Sequence, residues 1–315
     1  AAKLLKTSRI PNQALFLLVL INVIWAGSSV CNKQALETLG AFTLITLRFG
    51  PSCLILAVYC WRQKLIRKVE NSDVGRFLLL GILGGPVTYG IFYSGMRGAS
   101  AAEANLVISA EPILIAILAV IFLHEKLQKI QKYGLLIGFL GLYVLIMQGF
   151  VPRFEGEAFS NAVMVGALVF ECAASITGKA LTDKYPGLYV VTIQFAISAI
   201  LSLPLAIMEI SRHPIALIPM STIFSVVYVC LGSSCFAFGV WYWLLPRYDV
   251  STMSGFLFIQ PMAGPFLAWL IRGEKIGPAT FAGAALVLGG VWMVAIMGGK
   301  AREFHEPAPE PAAFP

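Results

Sequence analysis

The chain has 315 residues, 58% of them hydrophobic and 12% charged, with a mean hydropathy of +0.81 and a net charge of +7. That is about half the charge of an average soluble domain, which excludes a soluble globular protein and points to a chain that crosses a bilayer many times. The excess of Lys and Arg goes with anionic headgroups and membrane topology rather than with a nucleic-acid surface, and no RNA- or DNA-binding motif is present.

Crossing ~30 Å of hydrocarbon takes roughly 17–25 helical residues. Ten apolar stretches meet that length, at 13–35, 41–61, 77–96, 99–123, 130–149, 160–180, 187–209, 221–245, 249–271 and 278–298. They follow a basic amphipathic segment at 1–12, expected in the cytoplasm. The first stretch is too long and too poorly flanked for a cleaved signal peptide. All six cysteines (Cys31, Cys53, Cys60, Cys172, Cys230 and Cys235) fall inside these stretches, where a thiol behaves as a small polarizable apolar group, so no disulfide framework is expected. The Pro-rich tail at 299–315 is expected to be disordered and cytoplasmic.

The chain also contains itself twice. Sliding residues 90–141 forward by 149 positions pairs Gly90 with Gly239, Tyr93 with Tyr242, Pro112 with Pro261, Glu125 with Glu274, Gly134 with Gly283 and Gly141 with Gly290. Composition does not produce that shared order, so we read a duplicated unit, at 13–149 and 150–298, with five spans in each. An odd number of spans makes the second copy enter the bilayer from the opposite side, so the repeats are inverted. Lys and Arg accumulate on cytoplasmic loops. With the N-terminus inside, sixteen fall on cytoplasmic segments and six outside, which places both termini in the cytoplasm. The expected fold class is all-α: a polytopic membrane protein of ten transmembrane helices, arranged as two inverted five-helix repeats around a central cavity.

Three stretches carry a family resemblance: WAGSSVCNKQAL from Trp25, TLITLRF ending at Arg48 and Phe49, and EKIGPATFAGAALVLGGVWMV from Glu274. With the two five-span halves, residues 13–298 resemble the EamA-type branch of the drug/metabolite transporter (DMT) superfamily. The resemblance implies a ten-helix fold with a central cavity. It also implies movement of small organic solutes, often export of amino acids or metabolites, across a cell membrane, in bacteria the inner one. The second copy departs from the first at marked positions. Gln194 stands where the first has Arg48, and Phe170 or Glu171 where the first has Trp25.

Ionisable side chains in hydrocarbon are costly and face a cavity or a partner. Glu111 and Glu171 stand at the middle of the fourth and sixth spans. Glu111 precedes Pro112, which frees a carbonyl one turn back and bends the helix. It is the first candidate to hold a solute or a proton, and its mate Gln260, also before a proline, leaves the pair with a single charge. A mid-membrane Glu can equally hydrogen-bond a neighbouring hydroxyl while protonated. Glu103 and Glu209, near span ends, are expected at the interface. Trp25, Tyr89, Tyr93, Phe170, Trp241 and Tyr242 form an aromatic group. Aromatic faces beside a carboxylate suit an organic cation or an amino-acid ammonium group, although the run Trp241–Trp243 also fits a lipid-interface belt.

The remaining polar residues have plainer readings beside functional ones. Asn22, Ser28, Ser29 and Gln194 orient a polar solute or join helices. Arg48 meets a solute carboxylate or pairs with an internal acid such as Glu37, and the resemblance makes it a structural or gating residue. Lys33 and Lys179, at matching positions, are read as snorkelling to the interface. Glu125 and Glu274 are read as caps on the helix that follows each. Gly81, Gly85, Gly134 and Gly138 are GxxxG pairs that allow close helix contact.

His124, His213 and His305 lie outside the spans, and the chain has no H-E-x-x-H, metal-spaced cysteines, P-loop or dinucleotide fingerprint. No cofactor, metal or catalytic residue is expected. The sequence reads as a secondary active transporter, export favoured, of a small amphipathic metabolite bearing an ammonium group, such as an amino acid or organic cation. It would work by alternating access around a midplane site walled by spans one, three, four, six, eight and nine. The substrate-binding candidates are Glu111, Glu171, Trp25, Tyr93, Tyr89, Tyr242, Gln260 and Asn22. The alternative is a channel or facilitative pore for a small neutral metabolite; a membrane enzyme is disfavoured. The expected partners are a small-molecule solute and the lipid bilayer, with protons as a candidate coupling ion, no nucleic acid, and a monomer or homodimer as the assembly.

Overall fold

The computed structural model describes residues 12–108, 110, 111, 113, 114, 129–147, 157–214, 217–248, 253, 255–275 and 277–298. Pro112, Glu125, the lead-in and the tail lie outside them. Among the described residues every regular element is a helix. In chain order these are α1 (Asn12–Leu36), α2 (Ala41–Arg62), α3 (Asn71–Ile82), α4 (Thr88–Arg97), α5 (Ala101–Ile108), α6 (Lys129–Met147), α7 (Glu157–Thr182), α8 (Gly187–Arg212), α9 (Met220–Val227), α10 (Gly239–Leu244), α11 (Ile259–Arg272) and α12 (Pro278–Gly298). A π turn at Leu83–Val87 joins α3 to α4, a π segment at Tyr228–Phe238 joins α9 to α10, and a 3-10 turn at Gly255–Phe258 leads into α11.

Among the described residues, six helical stretches are long and apolar enough to cross a membrane: Asn12–Leu36, Ala41–Arg62, Asn71–Arg97, Ala158–Thr182, Gly187–Arg212 and Met220–Leu244. Shorter helices α5, α6, α11 and α12 fall on the other four expected stretches. The third span begins at Asn71, ahead of the apolar run at 77. Asp73 in its first turn is buried, accepting from Tyr185 Oη and Lys184 Nζ at 3.0 Å each, and a carboxylate there also suits the positive end of the helix dipole. Leu54, Trp61, Ile200, Phe224 and Phe281 face outward, whereas Asn22, Arg48, Ser52, Asn105, Gln194 and Ser198 are buried. Apolar outside and polar inside is what a hydrocarbon solvent imposes. All six cysteines are free thiols.

The duplicated residues meet in reciprocal pairs. A Cβ on Gly290 of α12 would lie 2.5 Å from Gly134 O of α6, and a Cβ on Gly141 would lie 2.7 Å from Gly283 O. Gly283 is the mate of Gly134 and Gly290 the mate of Gly141, so each contact is the other with its partners exchanged, as a twofold axis produces. The α2 and α8 helices repeat the pattern: Ser52 Oγ lies 3.1 Å from Cys230 O, and Ser198 Oγ lies 2.9 Å from Gly81 O. Here the matching offset is 146 for α2 and α8 and 149 for their partners, so the second copy carries three additional residues between its second and third spans. Gly81 and Gly85 on the third span likewise let Ile197 and Ser198 of α8 approach.

Several charged residues have partners that the sequence did not reveal. Lys33 and Lys179 are each held by backbone carbonyls. Lys33 Nζ donates to Met96 O and Arg97 O at 2.8 and 2.9 Å, and Lys179 Nζ donates to Leu245 O at 2.6 Å, each ammonium satisfying carbonyls at a helix C-terminus. Glu103, near the start of its span, is buried. It closes a capping box in which Ser100 N donates to Glu103 Oε2 at 2.7 Å and Glu103 N to Ser100 Oγ at 3.0 Å. Glu209 reaches across to α2, accepting from Phe42 N, Thr43 N and Thr43 Oγ1, an approach that the missing side chain of Gly40 permits. Glu274 caps α5 through Ala101 N and Ala102 N, not the helix that follows it in sequence, because Arg272 folds it back at 2.9 Å.

Candidate functional site

Between the two copies lies a cavity of about 120 Å³, where a single water needs roughly 10–15 Å³. The i, i+3/i+4, i+7 spacing of a helix face lets α1 present Trp25, Ser28, Ser29 and Asn32, and α7 present Leu168, Glu171, Ala174 and Ser175. From α4 come Thr88, Tyr89, Phe92 and Tyr93, from the fourth span Ile108 and Glu111, from α10 Trp241 and Tyr242, and from α11 Gln260. Phe238, Leu245 and Leu257 add apolar wall, and Arg48 of α2 and Gln194 of α8 join it too, adding the second and seventh spans to the six that the sequence assigned.

Seven of the eight candidate residues line this cavity: Glu111, Glu171, Trp25, Tyr93, Tyr89, Tyr242 and Gln260. Asn22 does not reach it. Its Oδ1 accepts from Gln260 Nε2 at 2.9 Å and its amide donates to Leu18 O at 2.7 Å, so it fixes Gln260 from behind. Phe170 points outward, 38% exposed, which makes Glu171 the mate of Trp25 at the same offset of 146 as Arg48 and Gln194. Trp241 and Tyr242 are buried in the wall and form no lipid belt; Trp25 packs on Trp241 and Phe238 at 5.5 and 5.1 Å between ring centroids.

Arg48 is buried and makes no ion pair with Glu37, whose Oε1 is instead taken by Arg272 Nη2 at 2.6 Å. Its guanidinium is held by neutral groups. Nε donates to Ser234 Oγ at 2.8 Å, Nη1 to Tyr93 Oη at 2.9 Å and Nη2 to Ser233 Oγ at 3.2 Å, and the Tyr89 ring lies 4.5 Å below it, a cation–π geometry. Gln194 repeats this in the other copy. Tyr242 Oη donates to Gln194 Oε1 at 2.6 Å, and Gln194 Nε2 donates to Gly84 O at 3.1 Å. Gly84 and Gly85, mates of Ser233 and Ser234, leave helical geometry at the π turn (φ −139°, ψ −109° at Gly85), which frees that carbonyl. Such π insertions are frequent at functional sites.

Among the described residues, three buried polar atoms in the wall have no hydrogen-bond partner: Trp25 Nε1, Thr88 Oγ1 and Glu171 Oε2. Buried polar groups are nearly always paired, so a donor, a hydroxyl and a carboxylate oxygen unsatisfied around one cavity form a receptive surface. Thr88 escaped the sequence reading; the helix-breaking Gly84-Gly85-Pro86 just ahead of it was the available signal. Comparing mates, Trp25 stands opposite Glu171, Arg48 opposite Gln194, Thr88 opposite Ala237 and Glu111 opposite Gln260. The scaffold is symmetric and its polar groups are not. Among the described residues no cluster of three or more His, Cys, Asp or Glu side chains is placed to hold a metal ion.

Comparison with known proteins places this architecture. A protein of Archaeoglobus fulgidus named as an uncharacterized transporter is 22% identical over 278 residues, covering 88% of this chain and 95% of its own. A probable terminal-alkyne amino-acid exporter of Streptantibioticus cattleyicolor is 25% identical over 283 residues, covering 90% and 93%. A probable amino-acid metabolite efflux pump of Salmonella typhimurium is 26% identical over 288 residues, covering 88% and 93%. A solved crystal structure has the same fold at a TM-score of 0.66 and 19% identity, covering 93% of this chain and 99% of that one. The sequence model of the EamA-like transporter family matches residues 12–147 and 159–296, one stretch in each copy. The chain is an integral membrane protein of the EamA-like transporter family, within the drug/metabolite transporter superfamily.

Proposed function

We propose that the chain is a secondary active exporter of a small amphipathic metabolite bearing an ammonium group, an amino acid or an organic cation. The solute binds in the central cavity, and the two inverted repeats, 13–149 and 150–298, rock about it to give alternating access. The observation that carries this reading is the buried Glu171 Oε2, a carboxylate oxygen without a protein partner in a cavity rich in aromatic faces. An ammonium group supplies the missing donors and meets the aromatic quadrupoles as well. Trp25 Nε1 and Thr88 Oγ1 are then free for an acceptor on the same solute. Arg48 already spends three donors on Tyr93, Ser233 and Ser234, so it sets the shape of the site. Glu111, on the wall with Glu171, is the group we assign to a coupling proton. The names of the Streptantibioticus and Salmonella relatives agree with amino-acid export.

The test is transport. Everted vesicles holding the protein should accumulate radiolabelled amino acids or organic cations when a proton gradient is imposed, and Glu171→Gln should abolish accumulation while the protein remains folded and inserted. Uptake of neutral or anionic solutes alone, indifferent to Glu171→Gln, overturns the reading.

A further inference from the structure

A second cavity, about 450 Å³, lies at the α1–α2 turn. It sits nearer the ends of four helices that also wall the central cavity: Lys33 follows Asn32 on α1, Thr43 precedes Arg48 on α2, Arg97 follows Tyr93 on α4 and Glu209 follows Gln194 on α8, with Glu37 just past the end of α1. The opposite end of the molecule shows why it is open. There the mates of Leu39, Gly40 and Thr43 are Tyr185, Pro186 and Tyr189, and their hydroxyls are tied down, Tyr185 Oη to Asp73 and Tyr189 Oη to Arg67 O. The contact Lys184–Asp73 at 3.0 Å on that side is a contact between hydroxyls, Thr38–Thr222 at 3.1 Å, on this one. Smaller, uncharged residues leave the space.

The wall holds basic donors to spare, and its acids are already committed to other donors. Both its carboxylates are engaged, Glu209 by the first turn of α2 and Glu37 by Arg272 and Gln34. Lys33 uses two N–H groups on Met96 O and Arg97 O, and Arg97 gives one, from Nη2, to Leu39 O, out of the three and five that these side chains carry. Among the described residues the His213 side chain has no hydrogen-bond partner. Three basic side chains with unused N–H groups facing two satisfied acids make a site for an anion.

We propose that this cavity is a second binding site, for a carboxylate or phosphate group, separate from the central one. The group comes either from a solute leaving along α1, α2 and α4 or from a lipid headgroup; only the first source rests on the export reading above. Calorimetric titration of the purified full chain in detergent tests it with two probes, N-acetylalanine for a solute carboxylate and glycerol 3-phosphate for a headgroup. At least one should bind, at least tenfold more weakly in Arg97→Gln, with Arg97→Lys restoring part of the affinity. It should bind at least threefold more weakly in His213→Gln, an exposed position whose side chain holds nothing and whose variant should therefore fold. Glu171→Gln should leave it unchanged. Binding of N-acetylalanine assigns the solute source, and binding of glycerol 3-phosphate alone assigns the headgroup. No heat with either probe, or affinities indifferent to both Arg97→Gln and His213→Gln, overturns the proposal whatever the fate of the central site.

Discussion

Phe49 stacks on Phe195, its own mate in the second copy, with ring centroids 4.5 Å apart and planes 22° from parallel. A residue that touches its own mate sits on the axis relating the two copies. On either side Tyr89 meets Phe49 edge-on at 5.3 Å and its mate Phe238 meets Phe195 at 5.7 Å, and both outer rings belong to the central cavity. The aromatic frame is duplicated nearly intact. The groups that recognise charge and hydrogen bonds differ between copies, as binding a solute with two unlike ends requires.

Neighbouring glycines test the reciprocal crossing of α6 and α12. Gly290→Ala brings a Cβ within 2.5 Å of Gly134 O and Gly138 N, both backbone atoms, and overpacking of this kind costs roughly 1–3 kcal/mol. Gly289→Ala meets nothing within 4 Å and should gain about 0.5–1 kcal/mol from the helix. Melting in detergent should rank Gly289→Ala highest, then the wild type, then Gly290→Ala; two equal shifts contradict the packing.

Arg48→Gln copies the residue its mate carries. The loss of three side-chain hydrogen bonds, at about 0.6 kcal/mol each inside a membrane, should cost roughly 2 kcal/mol and leave the fold intact. In a cycle with Tyr93→Phe the two changes should fall short of additivity by about 0.6 kcal/mol. Strict additivity would mean that Arg48 and Tyr93 do not interact.

The duplication was legible because glycines, prolines and the Glu-Lys pair keep order and spacing through a gap-free shift. The offset of 146 in the first two spans was legible at Arg48 and Gln194 and at Lys33 and Lys179, but it left Trp25 opposite either Phe170 or Glu171 until the outward face of Phe170 decided between them. Six of the seven candidates that line the cavity are carboxylates or aromatics, whose cost or bulk at mid-span points them toward a cavity or a partner, and Gln260 was legible as the mate of Glu111. Asn22 misled, since a mid-span amide reads the same whether it faces a cavity or a neighbouring glutamine. The partners of Arg48, Ser233 and Ser234, were invisible: small hydroxyls gain a role only through the π segment that aims them. Ser100-x-x-Glu103 was a legible cap obscured by its closeness to the membrane edge.

That cap gives a graded prediction. Ser100→Ala should lower stability by about 0.5–2 kcal/mol, and Glu103→Gln, which keeps a capping box possible, should lower it less. Denaturant titration of both variants decides; a greater loss in Glu103→Gln contradicts the capping role.

At the α2–α3 end the Asp73 carboxylate, hydrogen-bonded to Lys184, holds that ammonium above its ordinary value. A raised lysine contributes stability that is fully present below the unfolded value, about 10.4, and is lost as pH rises through the folded value. The melting temperatures of the wild type and Lys184→Met should differ at neutral pH and converge above about pH 10.4. A gap that widens with pH would have the wrong sign.

The most direct measurement is binding of ammonium compounds and their uncharged isosteres, in pairs, to the purified wild type and to Glu171→Gln. A ligand at 100 times its dissociation constant stabilises by about 2.7 kcal/mol, so a thermal shift reads it. The charged member of at least one pair should shift the wild type while its isostere does not, and Glu171→Gln should erase the difference. Equal shifts within every pair, or a preference for ammonium that survives Glu171→Gln, would contradict a cavity built around that unpartnered carboxylate.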